Sequence, residues 1–423
     1  MKKISDNSLG SIEFSVSFKH NEVEHTDCFY AQKVNLWRDI LPPQLFDVIQ
    51  GKKTGDRIEL NFEPDTLVPA RDRRKIYSVR RRQIATGLQQ AEPIQPRFGR
   101  FYPQGILRDL PGIFPGNMAP FRCISANRSM IEADLNHALA GKQLKFSALI
   151  NEVRDKSEER GGTSIDWAEL ALTGPGMQGR VNGQPTDFFS GHSFGRVDQS
   201  EDRLFYAKPR MVKHIDETAV NVIHRLYGQH IQPQSNVLDL MSSWQSHLPQ
   251  GLPLKSLTGL GMNQKELEAN SRLTDYVVCD LNADPRLPFD DHAFDAAVCT
   301  VSIEYLIYPF EVFEEIARVL KPGGLFMTTF SNRWFPPKAI NIWSELHEFE
   351  RMGLVLEFFF KYGQYKNLRT FSMRGLPRPK DDRHYSKFLF SDPVYAVWGF
   401  SQQGQQSEIG TYSSQSDTEG EHG

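Results

Sequence analysis

Cysteine is scarce. The chain has four in 423 residues, Cys28, Cys123, Cys279 and Cys299, and none forms a CxxC pair. Their spacing fits neither a zinc pattern nor a disulfide framework, so the expectation is small buried hydrophobes in a reducing compartment and no metal. No apolar run approaches the roughly 18 residues that would cross a bilayer. The first residues, MKKISDNSLGSIEF, carry two lysines but no apolar stretch of signal-peptide length. Together these absences lead to an expected cytoplasmic location. An excess of one charge is also lacking: 49 Lys+Arg stand against 52 Asp+Glu, a net charge of −3. Near-neutrality gives no global argument for nucleic acid or an acidic membrane surface, so neither is expected as a partner. One local exception, residues 71–82 (RDRRKIYSVRRR), has seven basic residues and one acid, and reads as a solvated loop or strand face in preference to a polyanion site. There is no internal repeat.

Apolar content is ample at 39%. That excludes a wholly disordered chain, and at about 150 residues per domain the length suggests two to three domains. From residue 10 to about 153 the pattern is mostly strand-like. Ile12, Phe14, Val16 and Phe18 alternate with polar residues, residues 41–49 read as a short helix entered through prolines, and residues 57–62 alternate again. Residues 99–121 are rich in Gly, Pro and aromatics and read as loop, and two more strands are expected over 123–153. The charged, glycine-ended stretch 154–162 marks a boundary. No firm element is assigned to 163–209.

After Asp216, a potential helix N-cap, helices and strands alternate. Strands are expected at 237–241, 257–260, 276–279, 296–301, 325–330, 368–373 and 394–400. Helices are expected at 217–230, 264–272 and 310–320, with a long one over 338–360. Such alternation implies an α/β domain with a mostly parallel sheet covered on both faces. Ligands in such sheets bind beyond the carboxyl ends of the strands. The candidate site is therefore built by the loops after Met241, Leu260, Cys279 and Val301. Residues 401–423, rich in Ser, Gln and Gly with four acids and no Lys or Arg, predict a disordered tail.

Within residues 278–301 the run CDLNADPRLPFDDHAFDAAVCTV, followed by FEVFEEIARVLKPGGLFM over 310–327, carries an acid after the third strand. An LPF-x-D-x-x-FD segment and an RVLKPGG turn follow it in order. This resembles the class I S-adenosylmethionine-dependent methyltransferases, type 11 branch, over residues 206–400. The resemblance implies a Rossmann-like seven-stranded sheet and S-adenosylmethionine as cofactor. It places Asp239 at the acid of the first motif, Asp280 at the adenine amino group, Leu281 against the ring and Asn263 near the ribose hydroxyls. Where the family has a glycine-rich first loop, this chain has MSSWQSH over 241–247. Ser242 and Ser243 are small enough to allow close approach, and Trp244 must turn away or stack. Methyl transfer needs alignment and exclusion of water more than covalent help. If the acceptor needs a base, His214, His247 and Glu304 are the neighbourhood candidates. The aromatic stretch 331–343, on the ligand side of the sheet, reads either as an acceptor pocket or as an apolar helix start packing on the core. The acceptor itself, small molecule or protein, is not identified.

The N-terminal part resembles the FKBP-type prolyl isomerases of the SlyD-like branch. The residues that carry this are Leu41-Pro42-Pro43, GKKTGD over 51–56, FGRF over 98–101 and, above all, DLNHALAGKQLKF over 134–146. The resemblance covers residues 9–153 and implies a small antiparallel β-rich (α+β) domain. It also implies an apolar pocket for proline-containing peptides formed by Leu41, Phe98 and Phe146. Residues 154–205 then form a linker and cap. The expected function is methyl transfer from S-adenosylmethionine, with prolyl isomerase or peptide binding in the first domain. The alternative is a non-catalytic, chaperone-like protein on a degenerate methyltransferase scaffold.

Overall fold

The computed structural model describes residues 2–85, 94–155 and 161–402. All but the first two residues of the expected disordered tail lie outside the described residues, as does the middle of the expected boundary at 154–162. β1 (Ser8–His20) and β2 (Val23–Asn35) form a long hairpin whose tight turn puts Asn21 at a φ of 54°. α1 (Pro43–Ile49) starts behind Pro42, where a missing N–H costs nothing, and buries Leu45 and Ile49. β3 (Arg57–Phe62) follows. β4 (Ile76–Arg80), β5 (Phe101–Pro103), β6 (Pro120–Ala126) and β7 (Met130–Asp134) make a separate four-stranded antiparallel sheet in the order β4-β7-β6-β5. Its own small core contains Val79, Phe121, Cys123 and Ile131. β8 (Leu144–Asp155) then returns between β1 and β3.

Two short helices occupy the stretch without assigned elements: α2 (Trp167–Leu172), capped by Asp166, and α3 (Asp202–Phe205). α4 (Glu217–His230) is N-capped by Asp216, whose carboxylate accepts from the N–H of Ala219 at 3.1 Å. β9 (Asn236–Leu240), β10 (Ser256–Gly261), α5 (Gln264–Ala269), β11 (Asp275–Val278) and β12 (Phe294–Thr300) follow. α6 (Pro309–Val319) is followed directly by β13 (Leu320–Phe330), whose first residues contain the KPGG turn, with Gly323 at a φ of 78°. The expected long helix over 338–360 is two helices, α7 (Asn341–Glu345) and α8 (Glu348–Phe360). His347 breaks it: the ring accepts from Phe349 N and the backbone N–H donates to Glu350, a reciprocal cap that starts a new helix. β14 (Tyr365–Arg374) and β15 (Val394–Ser401) complete the chain's sheet.

Seven strands do come from the C-terminal half, but the sheet they enter is not seven-stranded. It has eleven strands in the order β11-β10-β9-β12-β13-β15-β14-β2-β1-β8-β3. β14 would otherwise present an open edge of unpaired N–H and C=O groups. Instead it runs parallel to β2, with Arg369 to Arg374 opposite Glu24 to Phe29. The buried His25 ring bonds Thr370 Oγ1 at 2.7 Å, and Asp27 accepts from Ser372 Oγ at 2.9 Å. The N-terminal strands thus continue the main sheet rather than closing a separate one. Between β9 and β12 the strand order reverses, and the candidate site lies at that point.

Candidate functional site

β9 is a run of apolar residues interrupted by one carboxylate. Val237, Leu238 and Leu240 are buried in the sheet core, and Asp239 is buried with them. Its Oδ2 accepts from Ser242 Oγ at 2.7 Å and from Ser246 Oγ at 2.5 Å. Burial pushes the Asp239 pKa up to about 6, against the two hydroxyls that stabilise its charge. The serines that stand in place of glycines therefore brace the loop internally. Ser243 Oγ likewise donates to Glu266 at 2.6 Å, and Asn270 Nδ2 holds Ser243 O at 2.9 Å and Ser246 Oγ at 3.0 Å. Trp244 turns away and donates its indole N–H to Val212 O.

The conformational demands a glycine-rich loop would meet are met elsewhere. Met241 adopts the left-handed region itself, with a φ of 55°. Close approach is supplied by Gly261 at the end of β10. Ser242 N donates to Leu260 O at 2.7 Å, and a Cβ on Gly261 would sit 2.2 Å from Ser242 O. A second strained residue, Val301, has a φ of 45° directly after β12. A β-branched side chain is rare there, and such outliers gather at functional sites.

These loops enclose a cavity of about 440 Å³ at the carboxyl ends of β9 to β12. All six residues expected at the cofactor, Asp239, Ser242, Ser243, Asn263, Asp280 and Leu281, line it. Asp280 accepts from Asn282 N at 2.9 Å. Asn263 caps α5 through its Oδ1, and its Nδ2 donates to Tyr206 O at 2.8 Å. This ties residues 205–214 across the opening. Glu266 does the same from the next turn: it accepts from Arg210 N at 2.7 Å while holding Ser243. Glu266 was not singled out in the sequence, although Asn263-x-x-Glu266 has capping-box spacing. The Arg210 guanidinium lies over the Phe205 ring at 4.3 Å.

The far wall is aromatic. Tyr305 and Phe335 stack at 6.1 Å, Tyr305 OH accepts from Phe335 N at 2.8 Å, and Trp334 completes the wall. Of the three candidate bases, His214 and His247 line the cavity. His214 meets the Phe335 ring edge-on at 5.4 Å. Burial lowers the pKa of both rings, His247 to about 4, so both are neutral at physiological pH. Glu304 is not in the cavity. The turn after β12 directs it into the core, where it is 1% exposed and its pKa rises to about 8 through burial. It therefore holds a proton at neutral pH, so it is no base toward a cavity ligand.

The expected peptide pocket is not assembled. Leu41 and Phe146 belong to the N-terminal core, where Phe14 packs on Phe146 at 5.8 Å and on Trp167 of α2 at 6.5 Å. Their apolar surface is used up in that packing. Phe98 lies outside this core, with its carbonyl accepting from Asp187 N. Among the described residues no group of His, Cys, Asp and Glu is placed to hold a metal, and no helix is long and apolar enough to cross a membrane.

A family model described as a methyltransferase domain matches residues 245–328. The match starts inside the altered 241–247 loop and includes Asn263, Asp280 and Leu281. The chain is 31% identical over 132 residues to the ubiquinone/menaquinone biosynthesis C-methyltransferase UbiE of Bartonella quintana, covering 30% of this chain and 48% of that protein. It is 30% identical over 135 residues to the protein of the same name from Bartonella tribocorum, covering 31% and 49%. The chain thus spans about half the length of the curated relatives it matches. A SAM-dependent methyltransferase from Aquifex aeolicus is similar at 14% identity and a TM-score of 0.30, over 47% of this chain and 97% of that one.

Proposed function

We propose that this chain transfers a methyl group from S-adenosylmethionine to an aromatic acceptor held against Tyr305, Trp334 and Phe335. One observation carries the reading. A stretch that matches a methyltransferase domain contributes Asn263, Asp280 and Leu281 to a single cavity at the strand-order reversal, together with Asp239 and the 242–243 serines. Its volume lies within the range of about 300–1,000 Å³ usual for small-molecule sites. The donor set fits the cofactor. Asp280 is an acceptor for an adenine amino group, Leu281 an apolar face for the ring, and Gly261 leaves room beside the Ser242 carbonyl.

The bound cofactor supplies an electrophilic methyl group on a sulfonium whose leaving group is a neutral thioether. The protein's share is alignment and a dry site. Asn263 and Glu266 hold residues 205–214 over the cavity and exclude water. The aromatic faces of Tyr206, Tyr305 and Trp334 suit a cationic centre. The matched relatives are C-methyltransferases by name, and a flat aromatic wall supports a ring carbon as the reacting atom here. Forming the new C–CH₃ bond releases one ring proton. The neutral His214 imidazole, beside Phe335, is the group positioned to accept it.

Calorimetric titration with S-adenosylmethionine and S-adenosylhomocysteine tests the reading. Saturable micromolar binding is expected. Asp280→Ala should weaken it by about 1–3 kcal/mol, the worth of a hydrogen bond to a carboxylate. Absence of binding at millimolar ligand would instead favour the non-catalytic scaffold.

A further inference from the structure

The near-neutral total charge averages over an uneven surface. Two segments reach the cavity, residues 203–213 through Tyr206 and Arg210 and residues 380–390 through Arg383. Each exposes three large apolar side chains: Leu204, Met211 and Val212 on the first, and the consecutive Phe388, Leu389 and Phe390 on the second, the latter 51%, 66% and 56% exposed. The segments are contiguous. Val212 and Lys213 share a cleft with Arg383, which also lines the cavity, and Arg333 links both to a groove walled by Lys387 and Phe388.

The unpaired charges beside these side chains are predominantly basic. Lys208, Lys380, Arg383 and Lys387 are exposed and, among the described residues, form no ion pair, while Asp381 is the exposed acid of the second segment. A soluble monomer rarely exposes consecutive large apolar residues without a use for them. Two partner classes are conceivable, a protein and a lipid surface. Protein interfaces are depleted in lysine, whereas an apolar tip flanked by lysines is the composition that enters an anionic headgroup layer.

We propose that this rim docks the cavity mouth onto an anionic lipid surface. Phe388, Leu389 and Phe390 enter the headgroup region, and Lys208, Lys380, Arg383 and Lys387 face the lipid charge. An acceptor with an apolar tail then reaches the cavity without crossing water. The docking surface is independent of the methyl-transfer reading.

Flotation with vesicles tests it, using phosphatidylcholine alone against equal parts phosphatidylcholine and phosphatidylglycerol. The full chain should float with the anionic vesicles only, and less as salt is raised. The variant Phe388→Ser/Leu389→Ser/Phe390→Ser should lose roughly tenfold or more in vesicle affinity. Lys380→Glu/Lys387→Glu should abolish the preference for anionic lipid. Both variants replace exposed side chains and should retain the wild-type melting temperature and cofactor titration. Failure of the wild type to float, or flotation unchanged in the serine variant, overturns the proposal. So does a wild-type dimer that the serine variant converts to monomer in sedimentation, since a second copy then covers the rim. Flotation without cofactor binding would sink the methyl-transfer reading and leave the docking surface standing.

Discussion

Glu304→Gln should make the protein more stable, and increasingly so as pH rises. The carboxyl is 1% exposed and neither oxygen has a hydrogen bond of normal geometry. Burial raises its pKa from the ordinary 4.5 to about 8, with Arg351 pulling weakly the other way. A raised pKa means that the folded state binds the proton more tightly than the unfolded chain. The stabilisation is complete below the unfolded value and is lost as pH rises through the folded one. At about 1.4 kcal/mol per unit, the loss between those limits is roughly 3–5 kcal/mol. The amide of the variant has no charge to bury and escapes that loss. Urea unfolding of both proteins from about pH 4.5 to about pH 8.5 measures it. Asp27 and Asp239, both raised to about 6 by burial, lower stability over the acid part of this range in both proteins, so the difference isolates Glu304. A difference that stays flat with pH would refute the argument, because it would mean that Arg351 keeps the carboxylate charged and satisfied.

Gly261→Ala puts a Cβ 2.2 Å from the Ser242 carbonyl oxygen, which is backbone and cannot rotate away. The loop must separate from β10, with a loss of about 1–3 kcal/mol in chemical denaturation and weaker cofactor binding by calorimetry. A variant with wild-type stability and affinity would show that the loop is not held as described. Glu266→Ala removes the acceptor for Arg210 N and Ser243 Oγ together. Tryptic cleavage at Arg210 and Lys213 in the native protein should rise several-fold, and unchanged cleavage would mean that residues 205–214 are not held by Glu266.

Much of the C-terminal half was legible because its signals are local. The apolar runs of β9 and β12, the Asp216 cap and the RVLKPGG turn are each contained in a few residues, and they located the loops that meet at the cavity. The aromatic stretch 331–343 likewise delivered Trp334 and Phe335 to the wall. What escaped was non-local. Nothing near β14 in sequence indicates that it pairs with β2, since His25 and Thr370 bond across 345 positions. That pairing turns a seven-stranded expectation into an eleven-stranded sheet. Phe98 could not be separated from Leu41 and Phe146 by pattern, because only the folded chain sends it beside Asp187. The break at His347 depends on a reciprocal cap that the apolar period over 338–360 conceals. The loop serines could be read as small and polar, but not that their hydroxyls answer to Asp239 and Glu266.

The central claim is that the 440 Å³ cavity holds S-adenosylmethionine. A crystal structure with S-adenosylhomocysteine tests it most directly. The account predicts density in that cavity with the adenine amino group on the Asp280 carboxylate, the ring against Leu281, and the 242–246 serines still bonded to Asp239 and Glu266. An empty cavity at millimolar ligand, or ligand bound elsewhere, would contradict it.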